Sequence, residues 1–511
     1  MPDDFRYAGY PSAKVFDGGG HQVQHILWGD WVKVTGLAQG GRLPVHVRGT
    51  DGFMAEADLQ EERLLEIVFV DVGQGDGCLI VTPDDRKLIV DAGLADNMFR
   101  FLRWRFNFLG GVRTFDAAII THPDSDHYQG FKMLFQEPNV RFRRIYHNGI
   151  MEQVGKPFGP EAVAGGVKYV TQLIESRQDL EQFLADPARY GQKLYANLLK
   201  AALGRLAAGG DIRMLSASGD PDRPSYVEGF GTDRDLRLRI LGPVSEPAAD
   251  GRRRLRWFRD RPAGGSFDPG KTKNGHSVIV TLEYRDVSIL LGGDLNSSAE
   301  TFLLERYTGL PWPPQDGSAE QTLVEAGRRH FGADITKSCH HGSADFTDTF
   351  LRTLHAAATV VSSGDEESHA HPRSDTLGAI GLHGRGWRPL IFSTELVRSS
   401  REDEGTRRVE IGRLLEKIDR ETDPERRAQL VKERDSLLDE LAERNVTTYG
   451  AINLRTDGRK AVFAYKLERP RAGVAGGPSS GGTKKTITKW DIYTMERAGG
   501  GPLVYVPRGS A

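Results

Sequence analysis

His122-Pro123-Asp124-Ser125-Asp126-His127 places four groups able to ligate a metal within six residues. Two imidazoles and two carboxylates at this spacing can hold divalent cations, and cations held in this way acidify water for hydrolysis. The apolar run Ala117-Ala-Ile-Ile120 reads as a short buried strand, which puts the cluster on the loop that leaves it. In an extended loop, positions 122 and 124 project to one side, while Asp126 and His127 face a second point. Three later stretches carry matching chemistry. Asp294 follows a buried strand in Leu290-Leu-Gly-Gly-Asp294, where glycines give a bridging carboxylate room. His340-His341-Gly-Ser343 follows another short strand, and His369-Ala-His371-Pro372 adds two imidazoles.

The elements that must position these groups are legible as apolar runs broken by turn residues. Leu65-Glu-Ile-Val-Phe-Val-Asp71, Cys78-Leu-Ile-Val81 and Lys87-Leu-Ile-Val-Asp91 predict strands around a glycine-rich turn at 73–77. A helix follows over about 97–108. Residues 1–62 form a first unit of short strands with Gly and Asp turns, an SH3-like β-barrel in pattern. The stretch at about 150–235 reads as a helical insertion. A charge-rich segment at about 405–445 reads as a helical hairpin, with Asp423-Pro424 as cap and first-turn proline. Residues 451–455 and 461–465 read as closing strands, and 471–511 as a Gly/Ser/Pro linker and C-terminal tail.

A chain of 511 residues allows two to four units at roughly 150 residues each. No apolar run approaches the roughly 20 residues that span a bilayer, and the start lacks a basic-then-apolar leader. The two cysteines, Cys78 and Cys339, make no disulfide framework, which fits a reducing cytoplasm. A formal charge of -2 excludes a global basic field, so nucleic-acid binding must rest on local patches. The expectation is a cytoplasmic protein without a membrane partner.

In combination, these motifs resemble the metallo-β-lactamase superfamily, specifically its ComEC-type competence-protein hydrolase branch. The resemblance rests on Phe69-Val-Asp-Val-Gly-Gln-Gly-Asp76, Leu88-Ile-Val-Asp-Ala-Gly93, Thr121-His-Pro-Asp-Ser-Asp-His127, Leu291-Gly-Gly-Asp294 and Lys337-Ser-Cys-His-His-Gly-Ser343. It extends to His371-Pro372 and Tyr449-Gly-Ala-Ile452. It implies an α+β fold: an αββα sandwich over 63–470, with metals at one sheet edge. It also implies the ligands His122, Asp124, Asp126, His127, Asp294 and one of His340 and His341. Two departures stand out. The commoner loop of the superfamily has His where this chain has Asp124, and a further His expected before Asp294 has no counterpart. The membrane-spanning part of the ComEC-type proteins has no counterpart in these residues either.

Carboxylate in place of imidazole hardens the site toward manganese or magnesium, with zinc also admissible, so two divalent ions are expected. On this reading Asp126 holds one metal and orients the nucleophile, and Asp294 bridges. His371, or whichever of His340 and His341 does not bind metal, donates the leaving-group proton. Lys273 contacts a phosphate. The basic, aromatic-interleaved loop at 251–265 offers Arg252, Arg253, Arg254 and Arg256 to a nucleic-acid backbone and Trp257 to a base. The leading expectation is a phosphodiesterase or nuclease. Hydrolysis of a small ester, lactone or amide is the alternative on the same metals. A scaffold with a decayed site, holding protein partners through the SH3-like unit and the helical hairpin, is the third.

Overall fold

Alternating side chains of single strands feed two different cores, and this splitting defines the architecture. In Leu65–Phe69, Leu65, Ile67 and Phe69 join one apolar cluster, while Val68 joins another. Gly77–Val81 and Lys87–Ala92 divide in the same way. A strand buried on both faces must have a layer on each side. The structure is a computed structural model and describes residues 4–261, 264–364, 370–395, 404–448, 451–467, 489–497 and 499–507.

A ten-stranded sheet runs in the order Leu206–Met214, Val140–His147, Arg113–Ile119, Lys87–Ala92, Gly77–Val81, Leu65–Phe69, Ile452–Thr456, Ala461–Leu467, Lys489–Arg497, Leu503–Val506. A seven-stranded sheet contains Leu236–Gly242, Ile279–Tyr284, Val287–Leu291, Ile335–Lys337 and Ala358–Val361 as neighbours. The inner faces of both sheets share one cluster, including Ile67, Ile80, Ile119, Leu238, Val280 and Ile289. The helices Asn97–Phe106, Phe131–Gln136 and Leu194–Leu203 cover the outer face of the first sheet, and Ile411 and Leu438 of the helical hairpin Glu404–Arg420 and Pro424–Thr448 join them. On the second sheet the covering helices include Ser297–Thr308, Gly317–Phe331 and Asp348–Leu354. The result is a mixed α+β sandwich of two facing sheets with helices outside.

Residues 4–60 form a separate antiparallel sheet of seven strands. It has its own core of Ala8, Val15, Ile26, Val32, Val45 and Met54. It docks on the far strands of the large sheet: Trp490 Nε1 donates to His25 O at 3.0 Å, and Tyr10 Oη donates to Glu496 Oε1 at 2.7 Å. No helix among the described residues is long and apolar enough to cross a membrane.

Three expectations change here. The 150–235 stretch is not wholly helical. It contains a hairpin, Glu161–Ala164 with Val167–Val170, and the strand Leu206–Met214, which pairs in parallel with Val140–His147. That strand reads Leu-Ala-Ala-Gly-Gly-Asp, with no apolar alternation to betray it. The supposed tail supplies Lys489–Arg497 and Leu503–Val506, which extend the main sheet. The basic loop at 251–265 includes a strand, Arg253–Arg256, in a small four-stranded sheet. The 471–482 linker, His369 and Tyr449-Gly450 lie outside the described residues.

Candidate metal centre

Four loops from two sheets meet at one point. The first leaves Arg113–Ile119 and carries His122 to His127. It is not extended throughout: Ser125–Tyr128 forms a single helical turn. Its backbone is pinned from the side by the glycine-rich turn. Gly75 has φ 92°, and a Cβ there would lie 1.7 Å from the Asp126 carbonyl oxygen, so only glycine fits. Asp294 follows Val287–Leu291, and the His340-His341 loop follows Ile335–Lys337. Both histidines have left-handed backbones, with φ 48° and 53°. Such strain persists only where surrounding contacts fix it. Here His340 N donates to Gly293 O at 3.0 Å and Ser343 N to His340 O at 2.7 Å.

Asp294 is the hub. Its Oδ1 lies 3.2 Å from His127 Nε2, and its Oδ2 lies 3.2 Å from His341 Nε2 and 3.8 Å from His122 Nε2. His127 Nε2 and His341 Nε2 are 3.1 Å apart, and Asp126 Oδ2 lies 3.5 Å from His341 Nε2. On the other side, His122 Nε2 faces Asp124 Oδ2 at 3.4 Å. Asp294, His122, His127 and His341 are all buried. The Nε2 of His122 and the Oδ1 of Asp294 make no hydrogen bond among the described residues. Buried polar atoms without a hydrogen bond, converging from separate loops, fit a cation between them. The donors of Asp76, His127, Asp294 and His341 lie within 4.8 Å of one another and could hold one.

Of these four, Asp76 is committed elsewhere. Its Oδ2 takes the Lys337 ammonium, and its Oδ1 lies 3.1 Å from His341 Nδ1. Asp91 plays the same part on His127: its Oδ2 is 2.8 Å from His127 Nδ1 and 2.7 Å from Thr121 Oγ1, while its Oδ1 accepts from Thr121 N at 2.8 Å. A carboxylate on Nδ1 fixes the ring and leaves Nε2 for a metal. Ser277 Oγ completes the floor, 3.3 Å from His122 Nδ1 and accepting from Asp294 N at 3.0 Å.

The electrostatics follow from these distances. Burial opposes charge on His341, but Asp294 and Asp76 outweigh it and push the imidazole up to about 10. Burial likewise opposes charge on His127, and Asp294, Asp91 and Asp126 raise it well above the ordinary value. Asp124 is half-buried, which alone would raise it, yet His122 and Lys273 hold it well below the usual carboxylate range. The cluster thus attracts positive charge strongly, and a divalent cation can replace the protons.

The other expected residues sort as follows. Both His340 and His341 lie at the cluster, but only His341 puts Nε2 within 3.2 Å of Asp294. His340 Nε2 is 3.9 Å away and its side chain is 23% exposed. His371 packs its ring 5.7 Å from that of His340. Lys273 contacts Asp124 and lies 3.5 Å from Glu152 Oε1. The nucleic-acid patch is corrected. Trp257 is 6% exposed, packed against Phe158, and cannot stack on a base. Arg256 pairs with Glu246, Arg253 Nε lies 3.8 Å from Glu175, and the Arg254 guanidinium sits 3.9 Å over the ring of Tyr169. Distant acids and an aromatic ring occupy these arginines, leaving Arg252 exposed and without a side-chain partner among the described residues. Asp76, Asp91, Lys337 and Ser277 were not singled out by residue type. Position was their only signal, since Asp76, Asp91 and Lys337 lie inside the motifs of the resemblance.

Residues 70–329 match the sequence profile of the metallo-beta-lactamase superfamily. The chain belongs to that superfamily. Metallo-beta-lactamase superfamily proteins are in general hydrolytic metalloenzymes that bind divalent metals, as the donor set here allows. ComE operon protein 3 of Bacillus subtilis (strain 168) is 19% identical over 335 residues, 62% of this chain and 31% of that relative. The chain therefore spans about a third of that protein's length. Two solved structures that the chain matches are the subclass B3 metallo-beta-lactamase MEM-A1 from a soil metagenome library and a long form RNase Z from yeast. The first is 12% identical, covering 56% of this chain and 78% of that one, with TM-score 0.24. The second is 10% identical, covering 71% and 50%, with TM-score 0.30.

Proposed function

We propose that this chain is a divalent-metal-dependent phosphodiesterase acting on nucleic acid or nucleotides. One observation carries the reading: both oxygens of buried Asp294 meet imidazole nitrogens delivered by separate loops. His122 and Asp124 would hold one ion, Asp126, His127 and His341 a second, with Asp294 shared between them. Three carboxylates make this set harder than an all-imidazole one, which favours manganese or magnesium and still accepts zinc. Bound there, the ions would supply an acidified water and neutralise charge in a phosphodiester displacement.

The chain's own groups do the rest. Asp126, at 18% side-chain exposure, is less enclosed than Asp294, His127 and His341 and would orient the attacking water. Asp91 holds the ring of His127, and the Ser362 carbonyl, with Asp76 beside it, that of His341. His340 and His371 stand beside each other at the edge of the cluster, where a leaving group takes up its proton. Lys273 offers a positive charge to a phosphate. The N-terminal sheet, read as an SH3-like unit, and the helical hairpin are surfaces for protein partners.

The test is a substrate panel of single-stranded DNA, duplex DNA, RNA, cyclic nucleotides, bis-(p-nitrophenyl) phosphate and a lactone, each with manganese, magnesium and zinc. Phosphodiester turnover that disappears in Asp126→Ala and Asp294→Ala, both still folded, is the expected result. Turnover of the lactone alone, or undiminished turnover in both variants, would refute it.

A further inference from the structure

The two halves of the cluster are built differently. Around His341, two imidazoles backed by carboxylates converge with Asp126 and Asp294. Around His122, Asp124 and Asp294 lie 3.4 and 3.8 Å from Nε2, and the next charged group is a lysine. The Lys273 ammonium rests on Asp124 Oδ1 and lies 3.5 Å from Glu152 Oε1, with its side chain 16% exposed. Its backbone is fixed. Lys273 sits in the helix Pro269–Gly275, whose start is capped by Asp268 accepting from Lys271 N at 2.7 Å, and whose end is held by Ser277 Oγ donating to Asn274 O at 2.7 Å. Only the four-carbon stem is free to swing. On its far side, Glu152 lines a cleft of about 250 Å³ with Gln153, Phe158, Lys193 and Pro269.

We propose that Lys273 is a resident counter-cation for the metal position at His122 and Asp124, and that Glu152 is its second seat. This rests on the metal reading given above. An ammonium bound to Asp124 neutralises the charge a cation would use, and two cations a few ångströms apart repel strongly at the dielectric of a protein interior. An ion entering beside His122 therefore displaces the ammonium toward Glu152, which keeps it paired. Around His341 the nearest ammonium, Lys337, lies 3.9 Å from Asp294 Oδ1 but is seated on Asp76 and the Gly293 carbonyl, so it competes less directly there than Lys273 does on Asp124. The two positions must then differ in affinity, with the His341 side filling first.

The experiment is titration of the full, chelator-stripped chain with manganese, followed by calorimetry and by counting bound ions spectroscopically, with melting curves to verify folding. The wild type is expected to show two classes of site separated by roughly ten-fold or more in affinity. Lys273→Met should tighten the weaker class by about ten-fold, and Lys273→Arg should not. Glu152→Gln should weaken that class further, because the displaced ammonium loses its seat; if Lys273→Met fails to fold, this variant decides alone. Two indistinguishable sites in the wild type, or a weaker class unmoved in both Lys273→Met and Glu152→Gln, would overturn the role of Lys273 and leave the metal reading standing. No manganese bound by any form would overturn both.

Discussion

Asp91 sits behind His127, and its substitution isolates what an orienting carboxylate contributes. It holds His127 Nδ1 at 2.8 Å and is itself fixed by the amide and hydroxyl of Thr121. Asp91→Asn preserves the shape but can turn an N–H toward that ring nitrogen, selecting the wrong tautomer. Metal affinity should fall by about 10- to 100-fold, read by competition with a chromogenic chelator. Asp76→Asn has a different signature. It leaves the Lys337 ammonium, only 4% exposed, with Asp294 Oδ1 at 3.9 Å in place of a direct carboxylate contact, and should cost stability on the order of 3 kcal/mol in denaturant unfolding. Legibility at this scale tracked distance along the chain. The donors at 122–127 were readable because they are consecutive on one loop. Asp76 and Lys337 were not, because each takes its meaning from the other after the chain has folded. Trp257 and its arginines were misread for the same reason: Glu175, Glu246 and Tyr169 are invisible to local composition.

Loops and helices transmit the geometry to those side chains. Gly75 presses against the Asp126 carbonyl, and Asp76 N donates to that same oxygen at 3.3 Å. Gly75→Ala should therefore displace the ligand loop. Loss of metal binding in a protein that keeps its far-ultraviolet dichroism is the expected pairing of results. A second element-level test concerns Glu300, buried on the helix Ser297–Thr308 and accepting from Thr347 N and Oγ1 at 2.7 and 2.8 Å. Burial raises its carboxyl from 4.5 to about 8, against the pull of the Thr347 hydrogen bonds and with help from Asp345. The folded state thus keeps a proton that the unfolded chain releases near 4.5. The stability this confers is complete below that value and is lost as pH climbs through 8. Glu300→Gln keeps an acceptor for Thr347 and carries no charge. Its melting temperature should decline less than that of the wild type across this window; parallel curves would contradict the assignment. The buried central strands announced themselves as apolar runs, whereas Leu206–Met214 did not, because an edge strand rich in alanine and glycine has little apolar pattern to show.

At the scale of the whole molecule, the N-terminal sheet is tied to the body through a buried charge. Asp30, 5% exposed, accepts from Leu27 N at 2.8 Å and Arg48 at 2.9 Å, and faces Arg455 of Ile452–Thr456 at 3.6 Å. Arg455 continues to Glu66. Asp30→Ala takes from Arg48 its ion-pair partner and leaves Arg455 with Glu66 alone, so the single calorimetric transition expected of the wild type should split, with the N-terminal sheet melting first; one unsplit peak would show that the docking does not depend on this residue. Two units and a helical hairpin were visible in the pattern of runs and turns, but the closure of the large sheet by residues 489–506 was not, since only pairing with Ala461–Leu467 gives those residues a place. The ligand loops have a mechanical consequence as well. His122, Asp126 and His127 hang from one layer of the sandwich, and Asp294 and His341 from the other. An ion gripped by both layers is a rivet across their seam. At a thousand-fold excess over its dissociation constant it would add about 4 kcal/mol to the cohesion of the two halves. Stripping it with a chelator should make that seam the first line along which proteases pry the molecule apart.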